Sequence, residues 1–136
     1  MTKTEHYQLN QWDAADRVLR EDFNSDNAKI DAAIESVRTA ALQLFVGSYT
    51  GTGTYGSSHK NTLTFSKAPL LLFIAGDRVM WTLQGSSIAQ VAWSNSGETI
   101  SVTWSETGLS WYADNVYVQM NNSGTTYRYI ALVSCA

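Results

Sequence analysis

Hydrophobic positions along this chain follow two different periods. Between residues 23 and 44, Phe23, Ile30, Val37 and Leu44 recur every seven residues, and Asn27, Ile34 and Ala41 fall three residues before the last three of them, the a/d spacing of a coiled coil. The stripe is narrow. Ser25, Lys29, Asp31, Glu35, Ser36 and Arg38 point elsewhere, and Asn27 is the one polar side chain in the seam. Such a seam asks for partner chains, although an amphipathic helix packed on its own domain gives a similar stripe. Ile34 at an a position beside Ile30 at d favours more than two strands, and a lone a-position Asn fixes register, so the pattern predicts a parallel homotrimer. Upstream, Leu9, Trp12, Leu19 and Phe23 share a helical face in a different phase. Asn24, Ser25 and Asp26, which favour N-caps, separate the two, predicting one helix over about 10–22 and another over about 26–45.

From residue 47 onward the period drops to two. Nine strands are expected, over about 47–55, 61–65, 69–75, 78–83, 88–93, 99–105, 109–112, 115–121 and 125–133. Val79, Trp81 and Leu83 share one face, Ile100, Val102 and Trp104 another, and Val116, Val118 and Met120 a third, and these read as core faces. Gly76-Asp77, Asn95-Ser96-Gly97, Thr107-Gly108 and Asn122-Ser123-Gly124 read as turns. The fold class is therefore α+β, a helical segment and trimeric coiled coil followed by an all-β sandwich head. Three parts are expected: residues 1–22, a stalk over 23–46 and a head over 47–136.

Charge sharpens that division. Residues 1–46 hold five Lys/Arg and eight Asp/Glu, whereas residues 47–136 hold four of each, so the net charge of -3 belongs to the helical part. No basic cluster exists to meet nucleic-acid phosphates or an anionic bilayer. The single Cys135 allows neither an intrachain disulfide nor a Cys-based metal site. No secretory leader pattern opens the sequence and no apolar run is long enough to span a bilayer, so synthesis in the cytoplasm without membrane insertion is expected.

Two stretches carry a resemblance. The run His6-Tyr7-Gln8-Leu9-Asn10-Gln11-Trp12, followed by Asp22-Phe23-Asn24-Ser25-Asp26-Asn27-Ala28-Lys29-Ile30-Asp31-Ala32-Ala33-Ile34, resembles the N-terminal segment of tail-fibre or receptor-binding proteins of phages and prophages, especially those of Gram-positive hosts. The run Asn122-Ser123-Gly124-Thr125-Thr126-Tyr127-Arg128-Tyr129-Ile130-Ala131-Leu132 resembles the closing strand of phage fibre heads. Together they span about a third of the chain, and neither is a catalytic signature. The resemblance implies a homotrimeric fibre tip on a virion or phage-derived particle. Its N-terminus would meet baseplate or tail proteins, and its head would bind a host cell-surface component, chiefly a glycan. Phe23, Asn27, Ile30, Ile34, Val37, Ala41 and Leu44 would hold the trimer.

Candidate chemistry in the head is sparse. Glu98 with Glu106 or Asp114 could form the carboxylate pair of a glycosidase, but solvated loop charges explain these residues as well. His59 is the only head histidine, which leaves no His pair for a metal and no oriented Ser-His-Asp set, so neither cofactor nor catalytic residue is expected. Trp81, Trp93 and Trp104 sit in apolar strand patterns and read as core or interface. Trp111-Tyr112 differs, because adjacent strand residues face opposite ways and one ring must leave the core. If strands alternate in direction from residue 47, Gly56 to Lys60, Gly76-Asp77, Ser94 to Gly97 and Ala113 to Asn115 share the end away from the stalk. Lys67, Gly85 to Ser87, Glu106 to Gly108 and Asn121 to Gly124 then share the other. Tyr55, His59 and Lys60 would line one rim of a sugar site, and Trp111, Tyr112, Asp114 and Asn115 another. The alternatives are a purely structural trimerisation or capping module and a small cell-wall glycan hydrolase.

Overall fold

One helix, α1, runs from Arg20 to Ala40 in the computed structural model, which describes residues 1–92 and 98–135. The chain divides into two units, Met1–Ala41 with Cys135 and Leu42–Ser134. In the first, β1 (Thr2–Lys3) and β2 (Asn10–Gln11) form an antiparallel hairpin. This corrects the expectation of a helix over 10–22. The carboxylate of Asp16 accepts the Asp13 N–H at 2.8 Å and meets the N-terminal ammonium at 2.9 Å, local bonds that compete with helix formation there.

Asn24, Ser25 and Asp26 do not break the helix either. Asp26 is buried inside it, where its carboxylate accepts the Asn10 backbone N–H at 2.9 Å and the Asn10 amide at 3.2 Å. A tertiary anchor thus overrides capping preference. The helix stops earlier than expected: Ala41 is extended at φ -72° and ψ 147°, and Leu44 lies on a strand, so neither belongs to a helical seam. Phe23, Asn27, Ile30, Ile34 and Val37 do lie on α1 and are exposed, Ile34 at 63% and Val37 at 66%. Beside them Tyr7 and Leu9 complete an apolar groove of about 350 Å³ with Ile30, Ala33, Ile34 and Val37.

The second unit contains β3 (Leu42–Thr50), β4 (Asn61–Thr64), β5 (Leu71–Ala75), β6 (Val79–Leu83), β7 (Ile88–Ala92), β8 (Ile100–Ser105), β9 (Gly108–Tyr112) and β10 (Thr126–Ser134). They form one curled antiparallel sheet in the order β3-β10-β5-β6-β7-β8-β9-β4, where two packed sheets were expected. β5 to β9 form a meander. Its concave side encloses a core of Leu72, Ile74, Met80, Ile100, Val102 and Leu109 with Trp111 and Tyr127.

Three strand expectations change. The first strand starts at Leu42, only one residue after the helix, because Leu42 to Thr50 pairs along its whole length with β10. Residues 115–121 are not a strand. They form a turn in which the Gln119 N–H donates to Asn115 O at 2.9 Å and the Asn121 N–H to Val116 O at 3.0 Å, with Val118 and Met120 buried in the core. On β6 the core face is Met80 and Thr82, and Val79, Trp81 and Leu83 look outward. Trp93 and the turn Asn95-Ser96-Gly97 lie outside the described residues.

Losing a strand reverses the last loop. Asn121 to Gly124 lies at the same end as the 51–60 loop: the Gly53 N–H donates to Asn121 O at 2.8 Å and the Gly124 N–H to Gly51 O at 3.1 Å. Gly76-Asp77 joins this end, since the Tyr127 hydroxyl donates to Asp77 Oδ1 at 2.9 Å while accepting the Asn122 N–H at 3.0 Å. Tyr127 is fully buried and stacks on Tyr49 at 5.1 Å.

Burial pushes the Tyr127 phenol up to about 12, and the Tyr49 phenol is pushed up for the same reason. Unfolding returns both toward about 10, so above that pH the unfolded chain binds fewer protons than the folded one. Their contribution to stability is complete below about pH 10 and is lost as pH rises toward about 12. The urea midpoint is therefore expected to fall over that window, and to fall less steeply in Tyr127→Phe. A flat midpoint through the window would contradict the burial of these phenols.

A cleft between the two edges of the sheet

β3 and β4 are the two edges of the sheet, and the 51–60 loop joins them. Unpaired edges are exposed to wrong pairing unless something covers them. At one end of this seam Phe65 does so, packing edge-on against Phe45 at 5.7 Å and Tyr129 at 6.1 Å. At the other, a cleft of about 400 Å³ opens. Tyr49, Leu63 and Trp111 supply its apolar lining, and Thr50, Thr52, Thr54, Thr62, Asn61 and Asn121 line it with hydroxyls and amides. His59 and Lys60 complete it.

Two buried amides hold the loop against the 113–125 segment. Gln119 has no exposure. Its Oε1 accepts the N–H of Gly56 at 2.9 Å and of Ala113 at 3.0 Å, while its Nε2 donates to His59 O at 2.7 Å and Asn61 Oδ1 at 3.2 Å. Asn121 acts similarly on the preceding residues. Its Oδ1 accepts the Thr52 N–H at 3.0 Å, and its Nδ2 donates to Thr54 O at 2.7 Å and Thr52 Oγ1 at 2.9 Å. The approach needs a glycine: a Cβ on Gly51 would lie 2.0 Å from Asn122 O. Every amide group of these two side chains is used inward, so the cleft is held in shape before any ligand arrives.

Of the residues expected to bind a ligand, the structure brings His59, Lys60 and Trp111 together in this cleft. Trp111 is 1% exposed and its Nε1 donates to Gln119 O at 2.9 Å, so it supports the floor and offers no face for stacking. Tyr112, Asp114 and Asn115 line a second cleft of about 460 Å³ with Glu98, Thr99 and Ser101. Lys60 Nζ, 5.6 Å from the centroid of the Tyr112 ring, links the two. Asn115 is partly committed, its Oδ1 accepting the Tyr117 N–H at 2.8 Å. Tyr55 is exposed on the loop but lines neither cleft.

Glu106 lies in a hollow at the opposite end of the strands, beside Lys67 and Ser105, so it cannot pair with Glu98 across one substrate bond. Glu98 and Asp114 do share a cleft, and Glu98 Oε2 sits 3.8 Å from the Arg78 guanidinium. Among the described residues no three His, Cys, Asp or Glu side chains gather to hold a metal, and no helix is long and apolar enough to cross a membrane.

Sequence reasoning missed Tyr49, Thr52, Thr54, Asn61, Gln119 and Asn121. The alternation of Thr with Gly over Thr50-Gly51-Thr52-Gly53-Thr54 was an available sign of a polar loop held in close backbone approach. Gln119 and Asn121 gave no such sign, because a strand over 115–121 places them on the solvent side. No protein-family model, curated protein or solved structure matches this chain.

Proposed function

We propose that this chain is the receptor-binding tip of a phage-like tail fibre, a homotrimer assembled through α1 that binds a host-surface glycan in the seam cleft. The observation that carries the ligand reading is the pinned cleft itself, with an apolar lining and a surround of hydroxyls, amides, one imidazole and one ammonium. A sugar presents an apolar ring face and hydroxyls around its edge, which this arrangement complements. His59, Lys60 and Asn61 hydrogen-bond the ligand in the first cleft, and Tyr112, Asp114 and Asn115 receive a further residue of the same polymer in the second. The N-terminal hairpin meets baseplate or tail proteins, and the assembly works on a virion or phage-derived particle.

Each site alone is weak, of about millimolar affinity, and three on one stalk gain about 10²- to 10⁴-fold when they engage together. A glycan array probed with the purified assembly is expected to give hits that Lys60→Ala with His59→Ala weakens at least tenfold, about 1.4 kcal/mol, while Tyr55→Ala leaves them unchanged. An array without hits from a folded trimer overturns the glycan reading. It would favour a structural capping module, the alternative supported by the exposed stripe of α1, which serves association without any ligand. Turnover of cell-wall polymer lost in Asp114→Asn would instead make the second cleft a hydrolase site, since Glu98 and Asp114 face it together.

A further inference from the structure

Three side chains of the N-terminal unit meet around one carboxamide. Lys3 and Asn10 are directly opposed across the β1–β2 pair, which places their side chains on the same face of the hairpin. The Lys3 Nζ donates to Asn10 Oδ1, so the amine lies against the Asn10 carbonyl. On its other side that carboxamide is held by α1, where Nδ2 donates to Asp26 Oδ1 at 3.2 Å and to Asp22 O at 3.3 Å. Both amide hydrogens are thereby committed to the helix, which leaves the oxygen to Lys3 and fixes which way round the group sits. Asp26 is fixed in turn, since its Oδ2 accepts the Asn10 N–H at 2.9 Å. Asn10 and Asp26 are each 8% exposed. The other amine nearby, Lys29, is engaged 3.7 Å from Asp26 Oδ1 and donates to Gln8 O at 2.6 Å. Anchoring the hairpin to the helix needs Asn10 and Asp26 but not Lys3. An amine held against a buried amide carbonyl, with a carboxylate on the amide nitrogen, is the arrangement that transamidation requires.

We propose that Lys3 and Asn10 join through a side-chain amide, formed with Asp26 as proton carrier, which closes the N-terminal hairpin covalently. The lysine amine attacks Asn10 Cγ in its neutral form. A bond forms between Nζ and Cγ, the bond from Cγ to Nδ2 breaks, and the proton given up by Nζ passes to Nδ2, which leaves as ammonia. Nothing is oxidised or reduced, so no further reactant is needed. Asp26 Oδ1 contacts the leaving nitrogen and is the group placed to hand it the proton. Lys3 is exposed, which gives the ammonia a way out. The product ties β1 to β2, strands of two residues each, so a terminus that would otherwise fray stays docked on α1. Neither the trimer nor the glycan site enters this chemistry.

Intact mass spectrometry of the full chain, after prolonged incubation at mildly alkaline pH where more of a lysine amine is neutral, is expected to show the loss of one ammonia. Cleavage after Glu5 is then expected to leave the segment containing Lys3 joined to the segment containing Asn10. Lys3→Arg should keep the full mass, and Asp26→Asn should slow the loss at least about tenfold, with far-ultraviolet circular dichroism reporting that α1 is retained. A chain that keeps its full mass overturns the proposal. Loss of ammonia that persists in Lys3→Arg also overturns it, because Asn10 then cyclises on its own backbone, and an unaltered rate in folded Asp26→Asn removes Asp26 as the proton carrier.

Discussion

Replacing Gln119 by Leu is expected to cost about 2–5 kcal/mol and to abolish ligand binding, although the side chain never reaches solvent. Leucine fills nearly the same volume but leaves the Ala113 N–H and the His59 carbonyl without their partner, and the Asn61 amide oxygen loses a donor. Gly56 suffers less, since its N–H also reaches Ala113 O at 3.0 Å. A buried polar group left unmatched costs about 1–3 kcal/mol, and a chain of this size has about 7–20 kcal/mol in total. The loop that carries His59 and Lys60 then loses its anchor, so stability and binding fall together. Gln119→Glu separates shape from hydrogen bonding: it keeps the acceptor but turns a second oxygen toward His59 O and Asn61 Oδ1. Burial raises that carboxyl above its unfolded value of about 4.3, so its penalty is largest at neutral pH and shrinks as pH falls through the raised value. Urea unfolding measures both. A change within about 0.5 kcal/mol for Gln119→Leu, with binding retained, would show that the loop is held by other means.

That expectation shows where sequence reading reached its limit. Strands such as β6, β8 and β9 were legible because alternating apolar residues are bounded by turns at Gly76-Asp77 and Glu106-Thr107. The same logic failed at 115–121. There Val118 and Met120 are buried by a turn folded over the core, and the alternation that suggested a strand came from alternate residues pointing into that core. It also failed on β6, where Met80 and Thr82 are no more apolar than Val79, Trp81 and Leu83, so composition favours the wrong face. Val79, Trp81 and Leu83 alternate as a core face would, and the period alone does not say which side of the strand meets the core.

The site was half legible. His59, Lys60, Tyr112 and Asp114 stand out because ionisable and aromatic side chains are few in the loops. The residues that shape the cleft are neutral amides whose role exists only through partners far away: 60 positions from Gln119 to His59, and 69 from Asn121 to Thr52. In the N-terminal unit the heptad stripe predicted a helix, but Asp26 looked like a helix breaker. Its partner, Asn10, lies 16 positions earlier in a hairpin that no periodicity announced.

Ile34→Asp with Val37→Asp is expected to reduce the assembly to a monomer of 15.0 kDa at micromolar concentration and to melt most of α1. The helix has 21 residues, long enough to form but poorly equipped to stand alone. Leu19 supplies no side-chain cap, and Asn24, Ser25, Asn27, Asp31, Ser36 and Thr39 are weak helix formers. Within the chain the hairpin bond to Asp26 and the exposed Glu35–Arg38 pair at 2.7 Å offset only part of this deficit. What remains is the exposed stripe, whose Ile30, Ile34 and Val37 would each contribute about 1.5–3 kcal/mol if partner helices buried them, an upper value because the unfolded chain already hides some of that surface. Two carboxylates in that seam would replace burial with desolvation of charge, so association and helicity should be lost together. The converse substitution, Asn27→Ile, removes the polar residue of the seam and should raise the melting temperature while relaxing strand number or register. Light scattering with circular dichroism tests both, with the near-ultraviolet signal of Trp111 reporting separately that the curled sheet remains folded. Unchanged mass and helicity in the double Asp variant would mean that the stripe is not where the copies meet.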